Sequence, residues 1–108
     1  MTNDREKLEQ LKELAGLEPD DPVVHYGLGS EHLRLGEFAE AAAALRRTLE
    51  LKPDYSAAYR ELGKALEKLG EREQAIAAYQ KGREVACAKG DLQTSREIEV
   101  FLKRLGAT

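Results

Sequence analysis

Cysteine is almost missing from this chain. With Cys87 alone among 108 residues, no internal disulfide can form and no CxxC pair offers a structural zinc site, which fits a reducing compartment. No apolar run approaches the roughly 20 residues needed to span a bilayer, and the opening MTNDREKLEQLKEL is too charged for the core of a signal peptide. A cytoplasmic address with no membrane partner is therefore expected. Excess positive charge is absent as well: a net charge of −3 argues against whole-surface attraction to nucleic acid, which is not expected as a partner. Serine is scarce and no nucleophile has an evident base beside it, so no enzyme is expected. The spaced glycines of YGLGSEHLRLG, residues 26–36, lie inside a helical pattern rather than after a strand, and do not make a nucleotide loop.

What remains is a chain 42% apolar and 34% charged with both signs interspersed, the mixture of a single folded domain rather than a disordered segment. Its only histidines, His25 and His32, stand about 10 Å apart along one expected helix, too far to share a metal comfortably. Both are read as packing side chains, and no metal or cofactor is expected. Cys87, between Ala86 and Ala88 near a helix end, is read as a small buried thiol.

The chain repeats itself. A shift of 34 positions pairs Leu28 with Leu62, Gly29 with Gly63, Leu35 with Leu69, Gly36 with Gly70, Glu37 with Glu71, Ala41 with Ala75 and Ala44 with Ala78. The same shift pairs Leu11 with Leu45 and Pro19 with Pro53, so the first helix corresponds to the second half of a unit. LEKLG at 66–70 returns as LKRLG at 102–106 with a shift of 36, which puts two extra residues near 87–91. Within each unit, apolar residues three and four apart form two amphipathic stretches separated by glycine, the pattern of a helical hairpin. Asp21-Pro22 supplies a cap acceptor followed by a residue of fixed φ, and Gly36, Gly70 and Gly106 follow leucines that end apolar stripes. Six helices are predicted, at about 3–15, 22–35, 38–51, 56–69, 72–89 and 92–105, with no strands.

A 34-residue helix-turn-helix period carrying Leu28-Gly29, Gly36, Phe38, Ala41 and Pro53, then Tyr59, Leu62-Gly63, Gly70, Ala75 and Tyr79, resembles the tetratricopeptide repeat family. The departures are His25 in an aromatic position, Thr48 and Gly82 in alanine positions, and Cys87 in place of a proline. The resemblance implies an all-α, right-handed solenoid forming one domain: a half repeat and cap at 1–21, full repeats at 22–55 and 56–91, and a closing half repeat at 92–108. Gly29, Gly63, Ala41 and Ala75 are expected where paired helices come closest.

The resemblance also implies a concave groove lined by the first helix of each pair. Its positions fall on Val23, Tyr26, Ser30, Leu33 and Arg34, on Ala57, Arg60, Lys64, Glu67 and Lys68, and, by the 36-residue shift, on Gln93, Arg96, Val100, Lys103 and Arg104. Such a groove is apolar at Tyr26 and Leu33 and basic elsewhere, suited to an acidic peptide with an apolar anchor. Arg60, Lys64 and Lys68 align like charges four residues apart, with Glu61 and Glu67 to offset them. Family members that bind chaperone tails use Lys and Asn in a carboxylate clamp, but Tyr26, Ser30 and Glu61 stand at those positions here. The implied role is a non-enzymatic adaptor that holds a protein or peptide partner. The alternative is self-assembly into a homo-oligomer through the open terminal helices, with Phe101 near the junction.

Overall fold

The structure, a computed structural model, describes residues 4–107. Six helices run in order, α1 Glu6–Leu17, α2 Pro22–Arg34, α3 Phe38–Leu51, α4 Ser56–Lys68, α5 Arg72–Lys89 and α6 Leu92–Arg104, and the described residues contain no strand. Helices α2 and α3 pair closely, as do α4 and α5. Each pair packs on the next, and α1 and α6 close the ends against α2 and α5. Beyond sequential neighbours, α2 packs on α4 and α4 on α6, and Arg46 of α3 donates to Gln74 Oε1 of α5 at 3.1 Å. The result is an all-α solenoid, 41 Å along its longest axis.

Local chemistry sets the helix ends. Asp21 Oδ1 accepts the Val23 N–H at 2.9 Å, with Pro22 opening α2, and Asp91 accepts the Thr94 N–H at 3.2 Å to start α6. Gly36 and Gly70 both turn the chain at φ +78°, a left-handed conformation in which a Cβ would be strained. The first helix lies later than the expected 3–15. Residues 1–3 fall outside the described part, and the helix continues to Leu17 because the first stop signal is Pro19, whose predecessor Glu18 leaves helical geometry at φ −127°, ψ 67°.

The central core joins Leu45, Leu62, Leu66, Tyr79, Ile98 and Leu102 with small residues such as Ala41, Ala58 and Ala75. Small residues let the backbones close up: a Cβ on Gly29 would meet Leu45 Cγ at 2.5 Å, and one on Gly82 would meet Tyr59 Cβ at the same distance. Gly82 replaces the family's alanine for that reason, since Tyr59 occupies the space a methyl would need. Thr48, in the other alanine position, is fully buried and donates its hydroxyl to the Ala44 carbonyl at 3.0 Å.

Cys87 is not the buried thiol expected. It is exposed, because Ala86 takes the inward position, fully buried, while Cys87 turns outward in the last turn of the longest helix. The histidines do pack: His25 Nε2 lies 2.8 Å from the Pro19 carbonyl, and buried His32 places Nδ1 3.0 Å from Glu37 Oε1. Helix α1 is held lightly. Leu8 is its one buried residue and lies outside the central cluster. Its start is tied by polar contacts, Arg5 Nη1 to Glu37 Oε2 at 2.8 Å and Arg34 Nη2 to the Asp4 carbonyl at 2.9 Å.

Candidate functional site

Helices α2, α4 and α6 are the first members of successive pairs and lie side by side, so their facing side chains form one surface with two distinct halves. In the first half Tyr26 and Arg60 are taken up by neighbouring side chains, while Val23 stays exposed. The Tyr26 ring stacks on Tyr55 with centroids 4.8 Å apart. Arg60 donates to Glu61 Oε1 at 3.0 Å, to Glu97 Oε1 at 2.8 Å and more weakly to the Tyr26 hydroxyl at 3.4 Å. With a side chain only 18% exposed, Arg60 braces α4 against α6 rather than offering charge to a ligand.

The second half is open. Where the C-terminal ends of α2, α4 and α6 converge, a pocket of about 750 Å³ is lined by Leu33, Arg34, Gly36, Phe38, Lys64, Glu67, Lys68, Phe101 and Arg104. The Phe101 ring leans on Tyr79 at 5.3 Å, with Lys64 Nζ 5.5 Å and the Arg104 guanidinium 5.2 Å from its centroid. Each cation over the ring face gains from its quadrupole. Glu67 is held between the Arg104 guanidinium, at 3.0 Å, and the Tyr79 hydroxyl, which donates to it at 2.5 Å. Burial, and then the Glu67 carboxylate, push the Tyr79 hydroxyl far above the ordinary tyrosine value, so it remains a donor. On the α2 side Arg34 binds Glu31, and that guanidinium holds the Glu31 carboxyl below the ordinary range. Lys68 is exposed and has no ion-pair partner among the described residues.

Of the groove residues expected from sequence, Leu33, Arg34, Lys64, Glu67, Lys68 and Arg104 border this pocket, while Val23, Tyr26, Ser30, Arg60, Arg96 and Val100 do not. On α6 the side chains that meet α4 are Glu97, Phe101 and Arg104. Glu97 and Phe101 stand one residue on from the expected Arg96 and Val100, both of which are exposed. The 36-residue shift keeps its register, since Ile98 and Leu102 are buried where Leu62 and Leu66 are and Gly106 turns as Gly70 does; Arg96 and Val100 are exposed because no described helix packs beyond α6. Gly36, Phe38 and Phe101 are the pocket residues that the groove pattern did not supply. Phe101 stands opposite Ala65 under that shift; an aromatic in a buried alanine's place marks a position where the packing has changed. It belongs to the pocket wall, not to an open helix end.

One further cluster brings together atoms able to ligate a metal: His32, Glu37 and Glu40 offer ligand atoms within 4.8 Å of one another. Arg5 and His32 already engage the two Glu37 oxygens. Glu37 and Glu40 also flank the positive end of the α3 dipole, which disfavours a cation. No helix among the described residues is long and apolar enough to cross a membrane.

A tetratricopeptide repeat family model matches residues 26–91. A search of curated proteins gives no significant match. Among solved structures, a Bordetella parapertussis protein is 32% identical over 98% of this chain and 90% of its own, with a TM-score of 0.83. A tetratricopeptide repeat domain protein from Salinibacter ruber is 32% identical over 80% of this chain and 96% of its own, at TM-score 0.74. MamA is 29% identical over 93% of this chain, which spans 57% of that protein, at TM-score 0.77. The TPR2B domain of yeast Sti1, solved as a complex with pHsp70, shares the fold at TM-score 0.86 with 19% identity.

Proposed function

The chain belongs to the tetratricopeptide repeat family, and from that premise we propose that it is a non-enzymatic, cytoplasmic adaptor that holds a peptide segment of another protein in the pocket between α2, α4 and α6. One observation carries the reading: the three first helices converge on an open recess whose walls combine Leu33, Phe38 and Phe101 with Arg34, Lys64, Lys68 and Arg104. Of its four cations, Arg34 is paired with Glu31, Lys64 with Glu61 and Arg104 with Glu67, which Tyr79 also binds, while Lys68 has no ion-pair partner among the described residues. The recess therefore suits an acidic segment that also carries an apolar side chain. The related fold of the Sti1 domain, solved with pHsp70, supports a peptide-holding use. The clamp residues of chaperone-tail binders are replaced here by Tyr26, Ser30 and Glu61, so the ligand is a different acidic peptide. Because the helices are preformed, ordering of the partner dominates the entropic cost of binding.

Amide NMR titration with acidic, aromatic-containing peptides at low and high salt tests this. Salt-sensitive shifts clustered at the ends of α2, α4 and α6, and lost in Lys64→Glu/Lys68→Glu, support the adaptor reading. Absence of shifts at low salt refutes it. Arg60 is unsuitable as the control because its replacement would break the Glu61 and Glu97 contacts.

A further inference from the structure

The acidic, apolar segment that this pocket suits is present on the molecule's own surface. Leu14 and Leu17 are exposed, Leu17 to 73%, and three residues apart they share one edge of α1. Residues 13–20, ELAGLEPD, carry carboxylates at Glu13, Glu18 and Asp20 and no cation. Asp20 lies beside Arg47 yet stays 83% exposed, and neither Glu13 nor Glu18 has an ion-pair partner among the described residues. His25 and Arg47 touch it only at Pro19 and Asp20, and a Cβ built on Gly16 meets no atom within 4 Å. The segment is thus an exposed leucine edge framed by negative charge.

The pocket is its complement, an apolar floor of Leu33, Phe38 and Phe101 under the cations of Lys64, Lys68 and Arg104. The two surfaces cannot meet within one molecule. Leu17 precedes the turn at the start of α2, whereas the pocket borders Leu33 and Gly36 at its far end, about 20 Å away along the helix. We infer that the pocket of one molecule receives the Leu14–Leu17 end of α1 from a second copy of this chain. This rests on the pocket being the binding face, and it names the partner. The contact is heterologous: each molecule uses one surface to give and another to receive, so association continues into a ring or an open chain. It differs from the pairing of open terminal helices, because the receiving surface is the pocket and not the outer side of α6.

Sedimentation velocity from micromolar to millimolar concentration tests the inference, using Leu17→Asn and Lys68→Glu. Both residues are exposed, and circular dichroism melts confirm that the variants fold. The wild-type mass should rise from 12.0 kDa by roughly twofold or more with concentration. Each variant alone should stay monomeric. A one-to-one mixture should recover a dimer and stop there, since Leu17→Asn retains a pocket and Lys68→Glu retains a donor edge. A monomer at every concentration overturns the inference, and so does association that survives both substitutions or a mixture that stays monomeric. Monomeric protein that still shows the peptide shifts described above removes only the second copy as partner. Loss of both results removes the pocket as a binding face.

Discussion

Tyr79 lies flat against Gly63: a Cβ built on that glycine would come within 2.2 Å of Tyr79 Cε1 and 2.5 Å of Cδ1. The tyrosine is fully buried, with its ring against Phe101 and its hydroxyl on Glu67, so it has nowhere to move. Gly63→Ala should therefore destabilise the protein by about 3 kcal/mol, as overpacking does in a rigid site, and Gly63→Leu should prevent native packing. Urea unfolding of the alanine variant checks this, and an unchanged midpoint would refute the packing described.

Tyr79→Phe keeps the ring and removes the hydroxyl. Glu67 keeps Arg104, so the loss should be about 1 kcal/mol, the typical size of one hydrogen bond. An absorbance titration offers a second check. Burial and the neighbouring Glu67 raise the folded hydroxyl above its ordinary 10.0, so its stabilising contribution is complete below that value and is lost as pH climbs towards the folded value. The Tyr79 phenolate should appear only as the chain unfolds, and its signal should be missing in Tyr79→Phe.

Acid should weaken the last turn of the array. Hydrogen bonds from Ser56 and then Thr94 hold the Asp91 carboxyl below its ordinary 3.8. A depressed carboxyl stabilises fully above the ordinary value and loses that contribution as pH falls through the folded one. The melting temperature should hold near neutrality and drop below about pH 4. Asp91→Ala should cost about 1 kcal/mol at neutral pH, the typical value of a helix cap, and should show a shallower acid decline in scanning calorimetry.

Helix α1 should open by itself. With Leu8 as its one buried residue, it relies on Arg5 reaching Glu37 and Arg34 reaching the Asp4 carbonyl. Glu37→Gln should speed amide exchange within α1 a few-fold while leaving α4 and α5 unchanged. Equal acceleration throughout the chain would show instead that Glu37 supports the whole fold.

The repeat made the six helices legible because Asp21-Pro22 and the leucine-glycine stops are local signals. The pocket was half legible. Leu33, Lys64 and Lys68 follow from the repeat position, but Phe101 does not, since its counterpart Ala65 is a buried core alanine and only an aromatic of Phe101's size reaches the pocket wall. Cys87 was misplaced because one step along a helix turns a side chain by about 100°, and Ala86 took the inward site. Ion pairs were the least visible feature. Arg60 with Glu97 and Arg104 with Glu67 are each separated by 37 residues, close to one repeat period, so their meeting depends on how successive pairs stack. The positive groove implied by the family pattern became, in its first half, an internal brace.

No described helix touches another more than two places along the chain. Loop closure is therefore inexpensive, and folding should be fast, on the order of microseconds to milliseconds. Synthesis proceeds at roughly 5–20 residues per second, far slower than that. The α2–α3 pair has its partners as soon as it leaves the ribosome, and each later pair arrives on a finished template. The molecule can assemble in the order in which it is translated.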